Sequence, residues 1–332
     1  MGRRILSCVS AVMTVFGSVV GAGFITGREI NAFFGEDFSL CGLYAAFLFF
    51  AAFFFLLLVS PREGKTEKAL SVAVSASNVI ISSCMLSALK TLLNPVFRFS
   101  ENFLFFPVLF GFFAFFICEK GIGGISLFSL VSMPFVIAVL FVVALSGARA
   151  SSLITKISPS NFTGAAMPAL YVGINCVLSS SVIRDLGKGA GKRKAAVVSV
   201  ASAFIIILFV FLILRAVYGV NSEMPVVTVS GGRPIIGRLV YLSIFFAVFS
   251  TLLSSLSSAL KLRPKKRKKA WGAVVVFVCV FLSRFSFSDI VGKLYPPIGI
   301  FGAVYFIVLI FSSSFFREGR RARTFPPLKR RV

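Results

Sequence analysis

The chain has 332 residues, 58% of them hydrophobic, and a mean hydropathy of +0.97; this excludes an ordinary soluble protein and predicts membrane spans wherever about 18 or more apolar residues run together. The net charge of +24 would suit a nucleic-acid partner, but the basic residues fall in short loops between apolar runs, which is the pattern of membrane orientation. There is no histidine, and six scattered cysteines (Cys8, Cys41, Cys84, Cys118, Cys176 and Cys279) form no C-x-x-C pair, so no metal centre, cofactor or nucleic-acid partner is expected.

Ten apolar segments follow in chain order, at about 5–34, 39–59, 67–94, 102–118, 121–146, 163–186, 193–218, 234–260, 270–287 and 290–316. They predict an all-α integral membrane protein of ten transmembrane helices, a single polytopic domain over 1–332 with a basic cytoplasmic tail at 318–332. The first segment follows Arg3-Arg4, is too long for a signal peptide and ends in no small-residue cleavage site, so it is expected as the first helix of the mature protein. Within it lies Val19-Val20-Gly21-Ala22-Gly23-Phe24-Ile25-Thr26-Gly27-Arg28-Glu29. Each glycine weakens a helix by roughly 0.8–1 kcal/mol relative to Ala. Backbone groups freed at membrane depth cannot turn to lipid. They would face protein, water, an ion or a solute, and a glycine-interrupted first helix points to the binding site of a broken-helix transporter. A second reading stays open: Gly17 with Gly21, and Gly23 with Gly27, also fit the small-xxx-small spacing of two intact, closely packed helices. Arg28 and Glu29 are costly at this depth and are candidates for gating or proton coupling, unless they snorkel to the interface.

The third segment carries Ser71, Ser75, Ser77, Asn78, Ser82 and Ser83, which places it inside a bundle rather than against lipid. With the N-terminus in the cytoplasm, inner segments hold 25 of the 35 Lys and Arg residues and outer segments 9. The bias predicts a multi-pass plasma-membrane protein with both termini cytoplasmic. The basic loop from Arg263 to Lys269 and the tail from Arg320 to Arg331 are topology determinants, with anionic lipid as a second reading.

Ten helices divide into five and five, and an odd number per half inverts the second half relative to the first. This predicts an inverted repeat, with pseudo-repeats at about 1–147 and 160–317, and a site at the midplane. The sixth segment, partner of the first, is expected to be interrupted too, because Pro168, Gly173 and Asn175 fall within eight residues; a proline-kinked packing helix is the alternative. Broken helices expose N–H groups at one half-helix end and C=O groups at the other. The first suit a carboxylate and the second Na⁺, so a small zwitterion fits both. Gly21, Ala22, Gly23 and Phe24 are the expected substrate contacts on one side, and Tyr171, Gly173 and Asn175 on the other. In the eighth segment, Ser250, Thr251 and Ser254 offer hydroxyls that, with carbonyls of Gly17 and Val20, would cage Na⁺; helix–helix contacts are the competing role for such hydroxyls. Proton coupling is the rival to Na⁺, through Glu29 or through Asp185 at the inner end of the sixth segment. In the tenth, Pro296-Pro297 is expected to kink or delay the helix or to mark its start.

The run Gly21-Ala22-Gly23-Phe24-Ile25-Thr26-Gly27-Arg28-Glu29, followed by Phe33-Phe34, resembles the first-helix signature of the YkvI-type membrane proteins. Tyr171-Val172-Gly173-Ile174-Asn175 with Leu186-Gly187 looks like that family's sixth helix, though Ile174 stands where an aromatic residue would be favoured; Tyr295-Pro296 looks like its tenth. The family is grouped with the amino acid–polyamine–organocation superfamily. The resemblance therefore implies a LeuT-type inverted-repeat fold and a secondary transporter of amino acids or related small solutes. In that superfamily unwound first and sixth helices hold substrate, and Na⁺ users place adjacent hydroxyls on the eighth. The expected partners are the bilayer and a small solute, with oligomeric state open. A non-transporting sensor on the same fold is the alternative; an enzyme is not expected, because no cluster of acids or ligands lies in the core.

Overall fold

A computed structural model describes residues 2–34, 38–58, 65–100, 103–146, 162–217, 220, 222, 224–230, 234–262 and 267–312. All the α-helical elements but one follow the predicted order. The first span is three pieces: α1 (Gly2–Val19), α2 (Ala22–Thr26) and α3 (Arg28–Phe34). Then come α4 (Phe38–Leu58), α5 (Lys65–Leu93), α6 (Phe105–Glu119), α7 (Ile122–Ser146) and α8 (Phe162–Gly187). The remaining helices are α9 (Lys192–Val217), a short α10 (Pro225–Ser230), α11 (Pro234–Ala259), α12 (Lys268–Leu282) and α13 (Phe287–Ser312). Apart from α10, these are the ten predicted segments, to within a few residues at each end. By length and composition α5, α7, α8, α9 and α11 are each sufficient to cross a bilayer.

The burial of the helices sorts them into centre and periphery. In α8 and α11, 78% and 72% of the apolar stretch is buried inside the protein, against 44–50% in α5, α7 and α9. The serine-rich α5 packs along α11, as its polarity requires. Ser82 Oγ donates to Ser255 Oγ at 2.9 Å, and Ser75 Oγ to the Ser258 carbonyl at 3.1 Å. Asn78 Nδ2 reaches across to the Val177 carbonyl of α8 at 3.0 Å. Satisfying hydroxyls and amides on facing helices is what makes such residues tolerable at membrane depth.

Two expectations need correcting. First, α8 is one continuous helix through Pro168, Gly173 and Asn175. Pro168 lies inside it, in the second turn, and the helix continues past the donor it lacks. Gly173 serves a helix crossing: a β-carbon there would lie 2.5 Å from the Gly299 carbonyl oxygen and 2.8 Å from Ala303 N of α13. The interruption residues of the sixth segment are thus largely packing residues, and the packing reading holds there. Second, α13 starts at Phe287, well before Pro296 and Pro297, which lie inside it. The prolines do not set its start, because packing along α8 carries the helix through two missing donors. The short α10 was not predicted; its Val-Val-Thr-Val core is β-branched and has weak helix preference, and it forms where Pro225 opens a turn packed on α11 and α9.

Candidate functional site: the broken first helix

The first helix stops because its sequence stops supporting it. The last regular bonds of α1 are followed by Gly21 in extended geometry (φ −101°, ψ −166°), which begins α2 without a side-chain cap. After one turn and a half, Gly27 adopts the left-handed conformation (φ 81°) and donates to the Phe24 carbonyl at 3.0 Å. That conformation strains any residue with a β-carbon. Thr26 Oγ1 turns back onto the Ala22 carbonyl at 2.8 Å, which holds the short α2 together.

The break frees backbone groups on both sides. On the carbonyl side, Thr251 Oγ1 of α11 lies 3.1 Å from the Val20 oxygen and 3.4 Å from the Gly17 oxygen. Ser250 crowds Gly17, where a β-carbon would sit 2.5 Å from its Oγ. Ser129 Oγ of α7 lies 3.4 Å from Ser250 Oγ. Hard cations take oxygen ligands, and these two carbonyls and three hydroxyls from three helices are an oxygen set of that kind. Gly17, Val20, Ser250 and Thr251 therefore come together. Ser254 does not join them; its hydroxyl points to the Leu178 carbonyl of α8 at 3.5 Å. Ser129 was not anticipated. Its only signal in the sequence is the Ser126, Ser129, Ser132 spacing in the fifth span, which puts hydroxyls along one helix face.

On the N–H side, Ala22, Gly23 and Phe24 form the first turn of α2, whose amides have no carbonyl one turn back. All three are buried. Tyr171 is buried on α8, with its ring 5.4 Å from those of Phe33 and Phe34 and 6.0 Å from Phe49. Its Oη has no hydrogen-bond partner among the described residues. Asn175, one turn on, spends its amide on the Tyr171 carbonyl at 2.9 Å. Gly173 faces α13 rather than this cluster. The Glu29 carboxyl packs against Gly23, and no β-carbon would fit there.

The other two candidates lie elsewhere. Arg28 lines a cavity of about 400 Å³ beside α2, together with Thr26, Lys90, Ile244 and Arg284; the last three are lining residues that sequence reasoning missed. Asp185 is fourteen residues along α8 from Tyr171, about 21 Å in a helix, at the end of the bundle where α1 starts. It forms ion pairs with Lys188 at 2.7 Å and Lys261 at 3.0 Å. Lys261 also donates to the Ser181 carbonyl at 3.2 Å. Burial holds the Lys261 ammonium below the usual lysine range, while the Asp185 charge pulls it upward.

Among the described residues the chain is an all-helical bundle whose first span breaks at a glycine pair beside a hydroxyl-bearing eighth span, and this is the LeuT-type fold. Among solved structures, one with this fold is a Na⁺-coupled sialic acid symporter in a substrate-bound, outward-open state. It is 14% identical, with a TM-score of 0.64 over 92% of this chain and 79% of that one. Mhp1, a nucleobase-cation-symport-1 family transporter in a closed conformation with bromovinylhydantoin bound, aligns at 14% identity and a TM-score of 0.49, over 92% of this chain and 72% of that one. Both are transporters rather than enzymes. No protein-family model and no curated protein sequence matches the chain.

Proposed function

We propose that this protein is a secondary active transporter of a small solute, an amino acid or related zwitterion or amine, working by alternating access. The observation that carries the reading is the break at Gly21, with Thr251 Oγ1 3.1 Å from the Val20 oxygen and unpaired first-turn amides in α2. In this mechanism Ala22, Gly23 and Phe24 contact the solute from one side, and Tyr171 and Asn175 from the other. Na⁺ is the coupling ion, held by Gly17 and Val20 carbonyls with Ser250, Thr251 and Ser129 hydroxyls. An ion that joins α1 to α11 ties the state of the break to the packing of the bundle, so its release loosens the site. The protein would sit in a plasma membrane with both termini cytoplasmic, as two inverted halves near 1–147 and 160–317. The first-helix motif supports membership of the YkvI-type family.

The test is a thermal-shift screen of the purified, detergent-solubilised protein with amino acids and small amines, each in Na⁺ and in K⁺. A ligand that binds only the folded state raises the midpoint by mass action. The expected result is a rise that requires both one solute and Na⁺. In Thr251→Ala the Na⁺-dependent part of that rise should vanish; an undiminished Na⁺ response would move the ion elsewhere. Uptake of the hit into proteoliposomes separates transport from sensing.

A further inference from the structure

Glu29 is the only acid among the buried described residues, at 8% exposure. It sits on α3 just past the Gly27 joint, with its carboxyl folded back on Gly23 inside the break. No hydrogen bond or ion pair ties that carboxyl to another described residue. The ionisable groups close enough to feel its charge are Tyr171 of α8, Tyr295 of α13 and Cys84 of α5, and none of them is a cation. A carboxylate at this depth without a counter-charge is expensive, so the charged form of this group is favoured only beside a cation from outside the cluster.

The surroundings say which kind. The Tyr171 ring is enclosed by Phe33, Phe34 and Phe49, and aromatic faces attract ammonium groups. Phe33 is one turn from Glu29 on α3, on the same helix face. The buried Tyr171 Oη, without a hydrogen-bond partner among the described residues, supplies an acceptor for an N–H. An acid, aromatic faces and an unspent phenol oxygen together recognise an alkylammonium. A purely anionic solute would meet Glu29 as a repulsion.

We propose that Glu29, with Tyr171 beside it, receives the ammonium group of the solute, so that the substrate class is an amine or an amino acid bound ammonium-first. This rests on the transporter reading above. The counter-charge that the site requires is then brought by the cargo itself.

The experiment uses the full-length protein in detergent at neutral pH with Na⁺, and three probe sets built on shared carbon skeletons. They are alanine, leucine and phenylalanine; ethylamine, isopentylamine and phenethylamine; and propionate, isocaproate and hydrocinnamate. Members of the first two sets should raise the thermal midpoint and the acids should not. Glu29→Gln should weaken that binding by roughly 100-fold or more, the scale of losing one partner of a buried charge pair, while its unliganded midpoint stays level or rises. Glu29→Asp should retain part of the affinity. Should Glu29→Gln fail to fold, Tyr171→Phe removes only the oxygen and should cost several-fold in amine binding. Binding of the acids but not the amines, or amine affinity unchanged in Glu29→Gln, overturns this assignment and leaves the transporter reading standing. So does a Glu29→Gln protein that binds amines normally but loses the pH dependence of binding, which would make Glu29 a proton carrier. If no probe of any charge shifts the wild type, the solute-binding reading falls and this assignment with it.

Discussion

Gly23 is the residue where local conformation and chemistry meet. It loosens the helix, and its missing side chain is the space that the Glu29 carboxyl fills. A single methyl group is therefore a severe change. Gly23→Ala should push the carboxyl out of the break and weaken solute binding, and Gly23→Leu should abolish it, while both proteins insert and fold. The check is a double-mutant comparison of solute-dependent midpoints. If Gly23→Ala acts through Glu29, adding Glu29→Gln costs little more than the first change alone; additive losses would mean that Gly23 acts on its own. At this scale much was legible in advance. The residues around Gly17, Val20, Ser250 and Thr251 could be listed from helix-end chemistry and hydroxyl spacing. Ser129 could not, because nothing in one sequence says which helix lies opposite Ser250. For the same reason Glu29 could be picked out as unusual, but not set against Tyr171.

Among the elements, the contrast between the first span and the sixth is instructive. Both carry glycine within an apolar run, yet α1 breaks and α8 does not. In the first span three glycines act together and Gly27 takes a left-handed conformation. In α8 the mid-helix Gly173 is used for its lack of volume, against Gly299 and Gly302 of α13. Periodicity fixes where a span lies but is blind to this difference, since a missing side chain serves a break and a close crossing equally well. The crossing makes its own prediction. Gly302→Leu would drive a side chain into the Gly173 backbone and should destabilise the protein by roughly 1–3 kcal/mol or more, the cost of overpacking. Gly189→Ala, in a turn with open space around it, pays only for its positive φ (75°) and should cost less. Thermal midpoints of the two variants check the order, and a more stable Gly302→Leu would show that the two helices do not approach so closely.

For the whole molecule, charge is concentrated at the ends of an apolar bundle. Asp185 gathers Lys188 and Lys261 at the end where α8 and α11 finish. The Lys188 side chain is 72% exposed and that of Asp185 only 18%, so the two changes should differ in effect. Asp185→Asn removes the less exposed carboxylate that Lys188 and Lys261 share and should lower the midpoint clearly. Lys188→Met removes an exposed pair of little worth and should leave it nearly unchanged. Equal effects would assign the stabilisation to the exposed pair.

The contact between α5 and α11 has a consequence for how such a bundle could change shape. Its polar links, Ser82 with Ser255 and Ser75 with the Ser258 carbonyl, are made by hydroxyls, and each hydroxyl can both give and accept. The two links tie Ser75 and Ser82, about two turns apart on one helix, to Ser258 and Ser255 of the other. When one helix slides past the other, a hydroxyl that leaves one oxygen soon meets the next. Interlocked Leu or Phe side chains would have to climb over each other to make the same move. A seam of such links would act as a lubricated bearing, a surface that resists separation more than sliding.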